Sequence, residues 1–176
     1  MTKLQIIYFA NSPFTYDNIA VDWEDANSDY AKQYENEELS WSNLKDLTDV
    51  ELYNCPNMTQ LPDFLYDLPE LQSLNIACNR GISAAQLKAD WTRLADDEDT
   101  GPKIQIFYMG YNNLEEFPAS ASLQKMVKLG LLDCVHNKVR HLEAFGTNVK
   151  LTDLKLDYNQ IEEIPEDFCA FTDQVE

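Results

Sequence analysis

The chain repeats itself, and this constrains its fold more than any other feature. The repeat is cleanest at Leu151, Leu154, Leu156, Asn159 and Ile161, followed by Ile164-Pro165. The same frame, L-x-x-L-x-L-x-x-N-x-L, fits Leu129, Leu132, Cys134, Asn137, Val139 and Leu142. It fits Ile104, Phe107, Met109, Asn112 and Leu114, with Phe117-Pro118 after them. It fits Leu71, Leu74, Ile76 and Asn79, with Ile82 one place late, and Leu47, Val50, Leu52 and Cys55, with Leu61-Pro62 further on. A looser copy opens the chain at Leu4, Ile7 and Phe9. The Asn-type positions 55, 79, 112, 137 and 159 are 24, 33, 25 and 22 residues apart. Self-similarity at such a period means stacked units, none of which can bury its apolar edge alone.

Each part of the frame has a physical use. The L-x-L segment reads as a short strand, with its two apolar residues in the core and the residue between them facing out. The Asn lets the chain turn. The prolines at 62, 118 and 165 suit an extended or polyproline return along the opposite side. The frame resembles the leucine-rich-repeat family, in which Cys can replace Asn as it does at Cys55. The resemblance implies an α/β solenoid, a right-handed coil with short parallel strands on its concave face. Irregular, polyproline or short helical segments fill the convex face. It also implies that the Asn side chains bond neighbouring turns as a ladder. Residues 1–176 are expected to form a single array of about six repeats.

Two runs break the regular length. Phe14–Trp23 and Ile82–Trp91 both end in Asp-Trp. They predict helical insertions near 14–40 and 82–102, with each Trp packed on the core. Ser83, three residues before Gln86, is a candidate helix cap. Leu87, Trp91 and Leu94 share one helical face. Ser28–Glu38, with Tyr30 and Tyr34, reads as a solvated helix. The chain opens inside a strand at Leu4 and stops soon after Phe168 and Phe171, with no polar cap at either end. It is therefore expected to be a fragment of a longer array.

Charge narrows the partners. Asp and Glu number 31 against 13 Lys and Arg, a formal charge of −18. Phosphate backbones and anionic membranes need positive potential, so no nucleic-acid partner is expected. No segment reaches the ~18 apolar residues of a spanning helix, so no direct membrane insertion is expected. The cysteines at 55, 78, 134 and 169 lack metal-ligand spacing and read as free thiols. His136 and His141 have no such spacing either. The acidic loop Asp96–Gly101 resembles a calcium loop but has Phe107 where the twelfth ligand would stand, and reads as solvated. With no phosphate loop, nucleophile elbow or dinucleotide fingerprint, no cofactor, metal or catalytic role is expected.

The strand face is the candidate site. The residues between the paired core positions are Tyr8, Glu51, Asn75, Tyr108, Asp133 and Lys155. The next outward positions, just before Asn, add Tyr53, Tyr111, His136, Asp157 and Tyr158. Together they predict a mixed aromatic and acidic surface suited to a protein or peptide partner. A glycan, stacked on tyrosines, is the second candidate. The irregular repeats and Asp-Trp insertions resemble the surface-exposed leucine-rich-repeat proteins of gut Bacteroidetes. That resemblance implies a cell-surface, lipid-anchored protein whose signal lies outside this chain. A third reading is the substrate-recognition segment of a larger effector enzyme. Effectors of that kind use repeats of about 20 residues, shorter than most here.

Overall fold

The computed structural model describes residues 4–12, 44–98, 103–146 and 150–168. The insertion near 14–40 with Trp23, Tyr30 and Tyr34, residues 99–101 of the acidic loop, Cys169 and Phe171 lie outside the described residues. Among the described residues, six strands form one parallel sheet in sequence order: β1 (Ile6–Tyr8), β2 (Asp49–Glu51), β3 (Ser73–Asn75), β4 (Ile106–Tyr108), β5 (Leu131–Asp133) and β6 (Asp153–Lys155). The register is the same at every step. Ile7, Val50, Leu74, Phe107, Leu132 and Leu154 lie side by side. The sheet is open, and the chain is an α/β solenoid of the leucine-rich-repeat type with its strands on the concave face.

The strands are shifted by one residue from the L-x-L segment. Each is centred on the first apolar residue of that segment, and the second, such as Leu52 or Met109, lies just beyond it. Two outward residues therefore flank each inward one. The backbone ladder nevertheless continues past the strands. Leu52 N–H donates to Asn75 O at 2.7 Å, and Asn54 N–H to Ala77 O at 3.0 Å.

The Asn column forms the second ladder, inside the core. Asn79 Oδ1 accepts from Cys55 N–H at 2.7 Å, while its Nδ2 donates to Leu52 O and Ile76 O. Asn112 Oδ1 likewise accepts from Asn79 N–H at 2.6 Å. The attachment then moves two residues along. Asn137 Oδ1 accepts from Leu114 N–H and Asn159 Oδ1 from Val139 N–H, both at 3.0 Å. In this half the return segments also pair, through parallel bridges Glu116–His141–Glu163. Cys55, which has no amide, donates its thiol to Phe9 O at 3.0 Å. Burial raises the pKa of the Cys55 and Cys134 thiols, so both stay protonated.

The core lies between the sheet and the return segments. Leu74, Phe107 and Leu132 are fully buried at the centre of their strands. Leu132→Ala should cost about 2–5 kcal/mol by opening a cavity between stacked repeats, as measured by chemical unfolding. Leu154 and Leu156 are half-buried, and Ile164 is exposed, although the frame places all three inward. They stand in the last described repeat, where neighbours cover one side only.

The 33-residue interval is absorbed on the convex side. Helix α1 (Ala84–Asp96) follows Ser83, whose Oγ accepts from Gln86 N–H. Its buried face carries Leu87, Asp90, Trp91, Leu94 and Ala95, the 3.6-residue spacing of an amphipathic helix. A short helix α2 (Ser120–Leu123) packs beside it in the next return segment. A 3₁₀ turn, Asp63–Asp67, occupies the same side of the preceding repeat. Pro62 enters it at φ −64°, ψ 139°, within the polyproline region.

Asp90 is the one acid on the buried face of α1. Leu61 N–H donates to its Oδ2 at 3.0 Å and Gln86 Nε2 to its Oδ1 at 2.6 Å. It thus ties the helix to the Leu61-Pro62 turn one repeat back. Arg93 lies 3.5 Å over the Tyr66 ring and pairs with Asp63 at 2.7 Å beside it. Burial pushes the Asp90 pKa above its ordinary 3.8, against the lowering effect of these hydrogen bonds. The folded protein therefore holds this proton at pH values where the unfolded chain has released it. The stabilisation is complete below 3.8 and is lost as pH rises through the folded value. Asp90→Asn should remove this fall. Its unfolding free energy, measured in urea from about pH 4 to 7, should decline less with rising pH than that of the wild type.

Candidate functional site

Alternation along the strands sorts the outward residues into columns. Tyr8, Glu51, Asn75, Tyr108, Asp133 and Lys155 pair in register as one continuous column on the concave face. The strand shift adds a second column that the L-x-L reading omitted: Ile6, Asp49, Ser73, Ile106, Leu131 and Asp153. The signal was present in the sequence, because the residue preceding an inward one must also face out. Ile6 and Ile106 are exposed apolar side chains there. Tyr108 faces outward and half-buried, so Tyr108→Ala should change unfolding free energy by less than about 1 kcal/mol, well below Leu132→Ala.

The residues just before Asn divide into two further columns. Tyr53 and Asp157 belong to one, together with Ala77, Gly110 and Val135. Gly110 is buried, and a side chain there would press on Val135 and Asp133. The other column runs Asn11, Asn54, Cys78, Tyr111, His136 and Tyr158. All six have φ between 52° and 65°, the left-handed region. Each N–H of the first five donates to a carbonyl of the next repeat, from Asn11 to Tyr53 O through His136 to Asp157 O, at 2.8–3.0 Å.

That backbone suits Asn, and Asn11 and Asn54 join side chain to side chain at 2.7 Å. It is strained for larger residues, by ~1–2 kcal/mol each. Tyr111, His136 and Tyr158 accept the strain and stack on one another. Tyr111 and His136 have centroids 4.3 Å apart and planes 18° apart; His136 and Tyr158 are 4.1 Å and 8° apart. Together they form an aromatic rail along the shoulder of the concave face. Stacking covers both faces of His136, and Tyr158 is three-quarters exposed.

Where the rail stops, Cys78 stands in its place. An open cleft of about 380 Å³ lies there, lined by Tyr53, Asn54, Pro56, Cys78, Arg80 and Gly81. The neighbouring Cys78 thiol raises the pKa of the Tyr53 phenol. Among the described residues, no His, Cys, Asp and Glu side chains gather in a group able to hold a metal, and no helix is long and apolar enough to cross a membrane.

Comparison with known proteins agrees with this fold. Residues 150–171 match the leucine-rich-repeat family model. The structure is similar to a leucine-rich-repeat protein from Bacteroides eggerthii, with 60% identity over 99% of this chain and a TM-score of 0.88. It shares its fold with the ectodomain of the plant membrane receptor kinase GASSHO1/SCHENGEN3 from Arabidopsis thaliana, solved in complex with Casparian strip integrity factor 2. That match has 23% identity over 76% of this chain and a TM-score of 0.56. Toll-like receptor 7 from Drosophila melanogaster is 31% identical over 107 residues, 60% of this chain. The chain spans 28% of the Bacteroides chain, 15% of the plant chain and 7% of the fly protein.

Proposed function

We propose that this leucine-rich-repeat solenoid is a non-catalytic recognition module that binds a protein or peptide partner through its concave face. The observation that carries the reading is the strand face itself. Its outward side chains lie in register over six strands, and tyrosine, carboxylate, amide and apolar groups alternate across it. Such a surface offers rigid aromatic contact area together with polar groups that select a partner. The plant ectodomain of the same fold was solved in complex with Casparian strip integrity factor 2. Tyr111 and His136 spend ring faces on each other, leaving fewer open faces for sugar stacking and favouring a protein over a glycan. Placement at a cell surface is part of the same proposal.

The test compares three proteins as bait for a host mucosal extract and a bacterial envelope fraction. They are the wild type, a Tyr8→Ala/Tyr108→Ala variant, and a control carrying Glu115→Gln/Glu143→Gln off the sheet face. Unchanged melting temperatures come first. A partner lost only from the tyrosine variant is the expected result. Equal capture by all three would refute a concave binding site.

A further inference from the structure

We infer that the concave face takes a basic segment of its partner and anchors one large apolar side chain of that segment over Ile106 and Leu131. This rests on the concave face being the binding surface. Ile106 and Leu131 are directly paired across β4 and β5, and Tyr108 stands two residues along on the same face. Single exposed apolar residues on a surface need no explanation. Here exposed Ile106 adjoins half-buried Leu131 and Tyr108 on two neighbouring strands, and such a patch makes an anchor site, because contact area there is gained with little loss of side-chain freedom.

The charge around this patch points to the flanking residues of the partner. The twelve outward strand positions hold four acids, Asp49, Glu51, Asp133 and Asp153, against one cation, Lys155. Lys155 is already engaged by Asp133, at 3.6 Å. Asp49 and Asp153 are instead steadied by the hydroxyls of Thr48 and Thr152, at 2.6 and 2.9 Å. Those bonds orient the carboxylates without neutralising them. Off this face the pattern is the reverse. Lys88 pairs with Glu116, Arg93 with Asp63, Lys103 with Glu70 and Lys125 with Asp96. Four cations of this acidic chain are thus engaged by acids away from the sheet, and the strand face keeps a charge that a basic segment complements. Asp153 borders the apolar patch on one side, beside the Asp133–Lys155 pair. Asp49 and Glu51 lie two strands away on the other, roughly 10 Å from β4. A lysine or arginine on either side of the anchor residue meets both groups.

The probe is a short synthetic peptide with one central tryptophan and lysines on both sides. Its controls replace the tryptophan by serine or the lysines by glutamates. Binding is followed by fluorescence anisotropy at low and moderate salt. We expect the tryptophan peptide to bind about tenfold more tightly than the serine peptide, and the glutamate peptide not to bind. Ile106→Thr/Leu131→Thr, which places β-branched side chains suited to strands at both positions, should erase the tryptophan advantage. Leu131→Thr alone serves if the pair lowers the melting temperature. Asp49→Asn/Asp153→Asn should weaken binding several-fold and flatten its salt dependence. Glu115→Gln/Glu143→Gln, an equal change of charge elsewhere, should leave it within about twofold. Equal weakening by the two charge pairs, or a tryptophan advantage that survives the threonine variants, overturns the inference. A natural partner that is captured by the concave face but lacks a basic segment would also overturn it, and would leave the broader proposal standing.

Discussion

Asn79→Ala should lower the unfolding free energy by about 3–5 kcal/mol, among the largest losses open to any single polar residue here. The side chain is fully buried and makes three hydrogen bonds to backbone groups. Alanine leaves the Cys55 N–H and the Leu52 carbonyl to find other partners in a dry interior, at roughly 1–3 kcal/mol for each that fails, while the Ile76 carbonyl keeps its bond from Asn112 Nδ2. The loss is local in origin, because a solenoid repeat leans only on its neighbours. Hydrogen exchange should therefore show the repeats around β2 and β3 opening first, with β5 and β6 holding longer. Uniform acceleration along the chain would mean that the array unfolds as one unit and that the ladder is not its weakest joint. The Cys55 repeat is a natural comparison, since its thiol makes a single strong contact, to Phe9 O, where Asn79 makes three.

Trp91→Ala should cost a further class of stability, about 3–5 kcal/mol, through lost volume. Trp91 is fully buried and meets Phe107 at 5.8 Å and Phe117 at 5.1 Å, both edge to face. Phe117 contacts Phe145, and Phe145 contacts Phe168, so the indole heads an aromatic chain that runs through the following repeats. Its Nε1–H points at Met126 Sδ, 3.5 Å away. Trp91→Phe keeps the aromatic contact and removes that weak donor, and should lose much less. Denaturant titration followed by far-ultraviolet circular dichroism separates the two. Equal losses would place the effect in the N–H group and not in packing.

The sequence frame located the inward positions from Leu47 to Val139, because apolar residues spaced for a solenoid leave few alternatives. It also located the Asn column and the cysteine that interrupts it. Three features needed coordinates. Tyr111, His136 and Tyr158 sit in left-handed backbone, which breaks the two-residue alternation and turns their side chains out of the column of Tyr53 and Asp157. Their stacking depends on register between repeats of unequal length, and length says nothing of register when a helix such as α1 absorbs the excess on the far side. Asp90 hid because a charged residue on an apolar helix face reads as an exception until its partner Leu61 N–H, one repeat earlier in sequence, is seen. The outward column of Ile106 and Leu131 was readable from alternation alone and was obscured by centring the strand one residue late.

The left-handed column has a consequence for how such a surface can change. Its geometry is held by main-chain bonds to the adjacent repeat, and those bonds are the same whether the residue is Asn, Cys, Tyr or His. The scaffold thus behaves like a row of sockets at fixed pitch. What is plugged into one socket is constrained by its two neighbours in the row, through amide pairing at Asn11 and Asn54 or ring stacking from Tyr111 to Tyr158, and hardly at all by the core beneath. New recognition properties can arise in this protein by exchanging adjacent pairs along that row, with the solenoid itself left untouched.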